Sequence, residues 1–378
     1  MKRIGITGQS GFVGSHLYNT LKLREDVELI PFRRVFFDSR EWLDHFVSSC
    51  DVIVHLAAMN RHEDPQVILD TNIRLVDQLI QSMERTKSTP HIFFSSSTQE
   101  DRDNLYGQSK KEGKNRLKAW STRSGGLFTS FKIPNVFGPF GKPNYNSVVA
   151  TFCHKVSRGE SPEIIQDNEI GLIYVNELVY EFIQVLFSDS NGDAQNRAFE
   201  YPIAPRYHKK VSEILGLLMN YREDYQKNGV FPDLTDDFGR ALFNTYRCYI
   251  PSDHYPVDFT KHTDHRGSFV EITRANTPGQ FSFSTTVPGI TRGNHFHTRK
   301  AERFAVIQGK ARIQLRRIGT DHIINYELDG SNPSYVDMPI WYTHNITNIG
   351  DEELITLFWI NEPFDPEDPD TYFEDVIL

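Results

Sequence analysis

His295, His297, Glu302 and His344 are four metal-competent side chains at spacings that let them meet. They fall in Gly289-x₅-His295-x-His297-x₄-Glu302-x₆-Gly309 and in Pro339…His344-x₃-Asn348. Residues two apart on a strand point to the same face, so His295 and His297 can share one cation. A carboxylate after the next bend and a histidine from a returning strand complete an N₃O shell suited to Zn²⁺ or a similar divalent ion. The other end of the chain carries a second chemistry. Gly8, Gly11 and Gly14, in Thr7-Gly-Gln-Ser-Gly-Phe12-Val13-Gly14, follow an apolar strand and open a helix. Glycines there allow a tight turn and bring a pyrophosphate against unpaired N–H groups at the helix start. Further on, Tyr106 and Lys110 stand four apart on a helical pattern and share a face. The lysine can lower the phenol's pKa and hold a cofactor ribose, leaving the tyrosine to act as general acid or base at a carbonyl or hydroxyl.

Tyr18 and Lys22 have the same spacing, so position decides between the pairs. Tyr106 follows the run Ser95-Ser96-Ser97-Thr98, from which Ser97, with Thr98 as competitor, can polarise the same carbonyl. The residue closing the second strand discriminates between cofactors: an acid bonds the ribose hydroxyls of NAD, an arginine the extra phosphate of NADP. Here the segment reads Pro31-Phe32-Arg33-Arg34, which predicts NADP(H) unless both arginines are merely solvated.

The elements that must carry these residues change character along the chain. Lys2–Thr7, Val27–Phe32, Asp51–Leu56 and His91–Ser96 read as buried strands. Asp70–Glu84, Tyr106–Ser121, Ser147–Arg158 and Glu177–Ser188 have helical periodicity. That alternation predicts a doubly wound parallel sheet of Rossmann type. From about Pro251, short segments rich in Val, Ile, Phe and Thr recur between turns, as in an all-β sandwich or barrel. We therefore expect a domain at 1–247, a linker within Cys248–Pro256, and a second domain at 256–378.

Composition narrows the function classes. At 378 residues, 38% hydrophobic and 24% charged, the chain reads as a soluble globular protein. A net charge of −9 offers no footprint for nucleic acid or an anionic membrane surface. Cys50, Cys153 and Cys248 lack metal spacing and read as free thiols of a reducing compartment. The start Met-Lys-Arg-Ile-Gly-Ile-Thr lacks the apolar core of a signal peptide, and no apolar run reaches a membrane span. A cytoplasmic protein is expected.

Residues 1 to about 245 resemble an extended short-chain dehydrogenase/reductase, through the glycine and Tyr/Lys motifs, His55-Leu56-Ala57-Ala58, Asn72 and Pro134-Asn135-Val-Phe-Gly-Pro139. The resemblance implies a nicotinamide-dependent enzyme of nucleotide sugars, with Leu56, Ala57 and Ala58 beside the cofactor and Asn135 on the substrate side. One departure is that only eight residues separate Ser97 from Tyr106, where many relatives have a longer loop. The histidine segments resemble both motifs of the cupin family, except that Trp341 stands where a turn glycine is usual. Asp264-His-Arg266-Gly-Ser-Phe-Val-Glu271 resembles a segment of deoxysugar-nucleotide epimerases that are also cupins. In those enzymes a histidine at the place of His295 is a base and no metal is needed, which leaves His295 as base, ligand or both. Arg266 would meet the substrate diphosphate or serve in a structural ion pair.

The whole chain is similar to bifunctional capsular-polysaccharide enzymes that join these folds, with Lys142–Cys153 and Phe364–Phe373 among the telling stretches. That similarity implies a homodimer whose zinc-bearing cupin epimerises C3 of a UDP-2-acetamido-2,6-dideoxy-hexos-4-ulose. The reductase would then use NADPH to give UDP-N-acetyl-6-deoxy-L-talosamine, on the route to UDP-N-acetyl-L-fucosamine. Asn144 and Asn146 would face the nucleotide sugar, although a tight turn explains them as well. A second reading keeps only the reductase active, with the cupin as a metal-stabilised dimerisation module. A third, a non-catalytic sensor, predicts missing catalytic groups, yet Tyr106, Lys110 and the four ligands are all present.

Overall fold

Burial of alternating apolar strands and amphipathic helices produces the parallel sheet that the first half of the sequence predicts. The computed structural model describes residues 1–188, 197–265 and 267–378. In chain order come β1 (Lys2–Thr7), α1 (Phe12–Lys22), β2 (Val27–Ile30), α2 (Arg40–Ser49), β3 (Val52–His55), α3 (Pro65–Thr86) and β4 (His91–Ser97). There follow α4 (Leu105–Ser124), β5 (Phe128–Ile133), β6 (Asn135–Phe137), α5 (Val148–Ser157), β7 (Glu169–Tyr174), α6 (Val175–Phe187), β8 (Ala198–Pro202) and β9 (Tyr207–Lys210). The six-stranded sheet has the order β2-β1-β3-β4-β5-β8, parallel throughout. Strand order reverses between β1 and β3, which opens the ligand crevice of doubly wound sheets at the strands' carboxyl ends. Ile4, Ile6, Val54 and Phe182 pack on one face, and Phe46, Leu79, Ile92, Phe94 and Trp120 on the other.

Two elements differ from expectation for local reasons. The α3 helix starts five residues early because Asp64 caps it, accepting from Gln66 N at 2.8 Å, with Pro65 in its first turn. The β2 strand stops at Ile30, and Phe32 instead turns its ring onto Phe37 and Phe46 while its N–H donates to Gln9 Oε1.

The chain continues through α7 (Val211–Asn220), a π-helical turn (Tyr221–Lys227), β10 (Val230–Phe231) and α8 (Asp237–Arg247). Next are β11 (Val257–Asp258), β12 (Lys261–Asp264), β13 (Gly267–Val270), β14 (Arg274–Ala275), β15 (Gln280–Thr286), β16 (Thr291–Phe296) and β17 (Glu302–Gln308). The last strands are β18 (Lys310–Arg317), β19 (Ile323–Asp329), β20 (Ser334–Met338), β21 (Tyr342–Asn348), β22 (Leu354–Ile360) and β23 (Tyr372–Phe373). Two antiparallel sheets, β11-β20-β17-β22-β15 and β19-β18-β21-β16-β23, face each other as the jelly roll of a cupin. Phe304, Val306, Ile313, Leu315, Val336 and Ile346 fill the space between them, each worth about 1.5–3 kcal/mol when fully buried.

Compactness divides the chain differently from the ranges 1–247 and 256–378. One unit comprises 1–137, 141–148 and 168–210; the other comprises 138–140, 149–167 and 211–378. Residues 211–247 pack on the outside of the jelly roll. Tyr225 donates to Asp337 Oδ2 at 2.7 Å, Arg303 donates to Gly229 O at 3.1 Å, and Phe231 meets Trp359 with ring centroids 4.4 Å apart. Among the described residues no helix is long and apolar enough to cross a membrane.

Candidate functional site

The glycine turn is built by backbone contacts that leave no room for side chains. Gly8 has φ +78°, and a Cβ there would lie 2.8 Å from Ala57 N. Gly11 N donates to Gly8 O at 2.9 Å, and a Cβ on Gly14 would stand 2.1 Å from the same oxygen. Phe12 and Val13 thus begin α1 directly above the turn, with no side-chain cap on Gly11. Leu56 and Ala57 bond back to Thr7, through its carbonyl and its hydroxyl, and Ala58 follows them off β3. Gln9 ties this turn to the end of β2, where Arg33 and Arg34 are exposed and form no ion pair among the described residues. The cradle suits a dinucleotide pyrophosphate, and the arginines suit a further phosphate.

Tyr106 and Lys110 lie on the first turns of α4, which Asn104 caps by accepting from Gly107 N at 2.8 Å. Lys110 is buried, with Nζ 3.4 Å from Ser95 Oγ and 5.8 Å from the Tyr106 ring centre. Burial lowers its pKa to about 8. Burial, then the nearby Tyr145, pushes Tyr106 up to about 12. Ser97 alternates onto the face of Ser95, and its Oγ accepts from Gln99 N at 3.2 Å; Thr98 is exposed and begins the next turn. Asn72 bolts the neighbourhood together, donating to Met59 O and Ser109 Oγ while accepting from Met59 N.

On the expected substrate side, Asn135 donates to Gly171 O at 3.2 Å. Asn144 (φ +53°) and Asn146 lie exposed in a turn after Gly141. Sequence reasoning missed Arg61, which donates to the carbonyls of Asn144 and Tyr145 and so fixes that turn beside Tyr106. It also missed Gly107, where a Cβ would lie 2.0 Å from Gln99 O. The eight-residue connection from Ser97 to Tyr106 is short because its two ends touch backbone to backbone. Glycine next to the tyrosine was the signal that could have revealed it. Arg266 lies outside the described residues.

In the jelly roll, His295 on β16 pairs across to His344 on β21, and Glu302 opens β17. The ligand atoms of His295, His297, Glu302 and His344 all lie within 4.8 Å of one another. Glu302 Oε2 is 3.3 Å from Nε2 of both His297 and His344. That is roughly the edge of a tetrahedron with ~2.05 Å metal–ligand bonds. Among the described residues His344 Nε2 is buried without a hydrogen bond and faces Glu302 Oε2 inside the cluster. His297 Nδ1 lies 2.5 Å from Asp370 O, and His344 Nδ1 lies 3.2 Å from Tyr342 O. Each carbonyl can take the Nδ1 proton and leave Nε2 free to coordinate. Burial alone would raise the Glu302 carboxyl, but the two imidazoles hold it well below the usual carboxylate range. Burial, then the charges of His344 and His297, lowers His295 to about 4. The donor set fits a zinc-like ion. Trp341 adopts φ +61° in place of the usual glycine, and its ring stacks on Phe296 at 5.5 Å, contact that offsets the strain.

Residues 4–199 match the NAD dependent epimerase/dehydratase family, and residues 262–372 match the polysaccharide biosynthesis C-terminal domain. The chain is similar to a UDP-2-acetamido-2,6-beta-L-arabino-hexul-4-ose reductase of Pseudomonas aeruginosa, 36% identical with 98% of each chain covered. It is also similar in structure to the capsular polysaccharide assembling protein CapF of Staphylococcus aureus, at 34% identity and TM-score 0.61, covering 99% of this chain and 100% of that one. Spore coat polysaccharide biosynthesis protein SpsL of Bacillus subtilis matches 29% of this chain and 80% of its own, at 26% identity. With its cradle of Gly8, Gly11 and Gly14 and a family match over residues 4–199, the chain belongs to the NAD dependent epimerase/dehydratase family.

Proposed function

We propose that this chain is a bifunctional, cytoplasmic nucleotide-sugar enzyme of capsule or surface polysaccharide biosynthesis. Its jelly roll inverts C3 of a UDP-2-acetamido-2,6-dideoxy-hexos-4-ulose, and its parallel-sheet unit then reduces the C4 ketone with NADPH, giving UDP-N-acetyl-6-deoxy-L-talosamine. The observation that carries this reading is that one chain holds both a buried Lys110 beside Tyr106 and Ser95, two residues before Ser97 on β4, and a His/Glu cluster. The P. aeruginosa reductase, similar end to end, supports the same 4-keto sugar class.

The ketone at C4 acidifies the C3 proton, because the resulting enolate delocalises onto oxygen. His295, the most exposed of the cluster, is the group we assign to take that proton. Return of a proton to the opposite face inverts the centre. Bound NADPH supplies the hydride, and a bound Zn²⁺ a fixed positive charge. Tyr106 donates the proton that turns the C4 oxygen into a hydroxyl. Ser97 orients that oxygen, and Lys110 holds the ribose and stabilises the phenolate left behind. Arg33 and Arg34 would meet the 2′-phosphate, and Asn135, Asn144, Asn146 and Arg266 the sugar nucleotide. We also assign a homodimer, through the outer face of β15.

Incubating the 4-keto sugar in D₂O with Tyr106→Phe protein should abolish reduction and still introduce deuterium at C3. Loss of both would rule out two separate sites. If the jelly roll were only a dimerisation module, His295→Ala would leave deuterium exchange unaffected.

A further inference from the structure

The segment Phe364–Phe373, singled out in the sequence, has a role that neither catalytic assignment uses. We infer that Asp370 is a positioning residue that clasps the metal site from the segment just before the C-terminal strand β23. The inference rests on the metal reading of the histidine cluster. Asp370 is 2% exposed and holds φ +41°, a left-handed conformation that aspartate tolerates better than most residues. That conformation lets one residue act in two directions. Its carbonyl faces His297 Nδ1 at 2.5 Å. Its carboxylate reaches the bend between His297 and Glu302, accepting from Thr298 N at 3.0 Å, Thr298 Oγ1 at 2.6 Å, Arg299 N at 3.0 Å and Lys300 N at 3.2 Å.

The bend joins two ligands, so a carboxylate that gathers its three N–H groups fixes the distance between them. Lys300 Nζ adds a bond to Pro369 O at 2.8 Å. Beyond Asp370, β23 pairs with β16 at His295 and Phe296, and the 2%-exposed Arg316 donates to the carbonyls of Asp375 and Val376. The tail therefore braces both ligand-bearing segments from the β23 edge of the jelly-roll sheet. Partners of this kind orient ligands, and their loss commonly weakens metal affinity ~10–100-fold.

The test uses the full-length protein loaded with Zn²⁺ alone and measures zinc release to a colorimetric chelator. Asp370→Ala should lower zinc affinity at least tenfold and speed release, whereas NADPH binding should match wild type and report an intact first unit. Asp370→Asn, of equal size and tolerant of the same backbone, should fall between. A folded Asp370→Ala protein that retains zinc as wild type does overturns the clasp. If that variant does not fold, Thr298→Val decides: faster release supports the clasp, and wild-type retention overturns it. Failure of the wild type to bind zinc overturns the metal reading and the clasp together, and is distinguishable because variant and wild type then agree at zero.

Discussion

His295 stands at the point where metal binding and acid–base chemistry compete for one imidazole. Glu302 approaches His297 and His344 at 3.3 Å each, so those three already define a coordination face without it. His295 is less buried than they are, and its ring centre lies 4.6 Å from that of His344. A lone pair cannot bind an ion and accept a proton at once, so the two roles make opposite predictions for His295→Asn. As base, it should lose at least a hundredfold of C3 deuterium exchange while keeping bound zinc at wild-type stoichiometry; elemental analysis and proton NMR on the same sample read both. Zinc lost in parallel with exchange would instead make His295 the fourth ligand.

The elements explain why some of this was legible and some was not. The Gly8–Gly14 turn and the Tyr106/Lys110 face are short-range patterns that local geometry forms, whereas His297 joins His295 from just past the end of β16 rather than by strand alternation. What escaped the sequence depends on contacts between distant segments. Tyr225 and Asp337 are 112 residues apart, yet their hydrogen bond helps hold the 211–247 segment on the jelly roll. Asp370 and His297, 73 apart, carry no mutual signal in their spacing. The short link between β4 and α4 is intermediate: its length was visible, its cause was not. With a Cβ at Gly107 only 2.0 Å from Gln99 O, Gly107→Ala must push the turn after Ser97 away from Tyr106. We expect a stability loss of about 1–3 kcal/mol, the usual cost of overpacking. Reduction should fall more than tenfold, while the NADPH dissociation constant shifts less than threefold because the glycine turn is untouched. A fluorescence titration beside steady-state kinetics separates the two, and a proportional loss of NADPH affinity would show that the damage is not local.

For the whole molecule, the outer face of β15 is where the proposed homodimer would pair. This edge strand reads Gln-Phe-Ser-Phe-Ser-Thr-Thr, with no proline or charge to blunt it. Its register with β22 sets Phe281 against Trp359 and Phe283 against Leu357, on the side away from the core residue Phe358. Phe281 and Phe283 are consequently 54% and 67% exposed, with Val287 and Ile290 exposed just beyond them. An apolar edge in water is an invitation to uncontrolled strand addition, and a closed two-fold pair covers both copies of β15 at once. Replacing Phe281 and Phe283 together by Ser should therefore convert a dimer into a monomer in light scattering at micromolar concentration. Each monomer should still bind one NADPH, because the glycine turn belongs to the other compact unit. A double variant that remains dimeric would move the interface elsewhere, and a monomeric wild type would remove the homodimer altogether. If the dimer dissociates and C3 exchange survives, pairing serves to protect the edge strand; if exchange is lost with it, the partner chain helps to build the epimerase pocket.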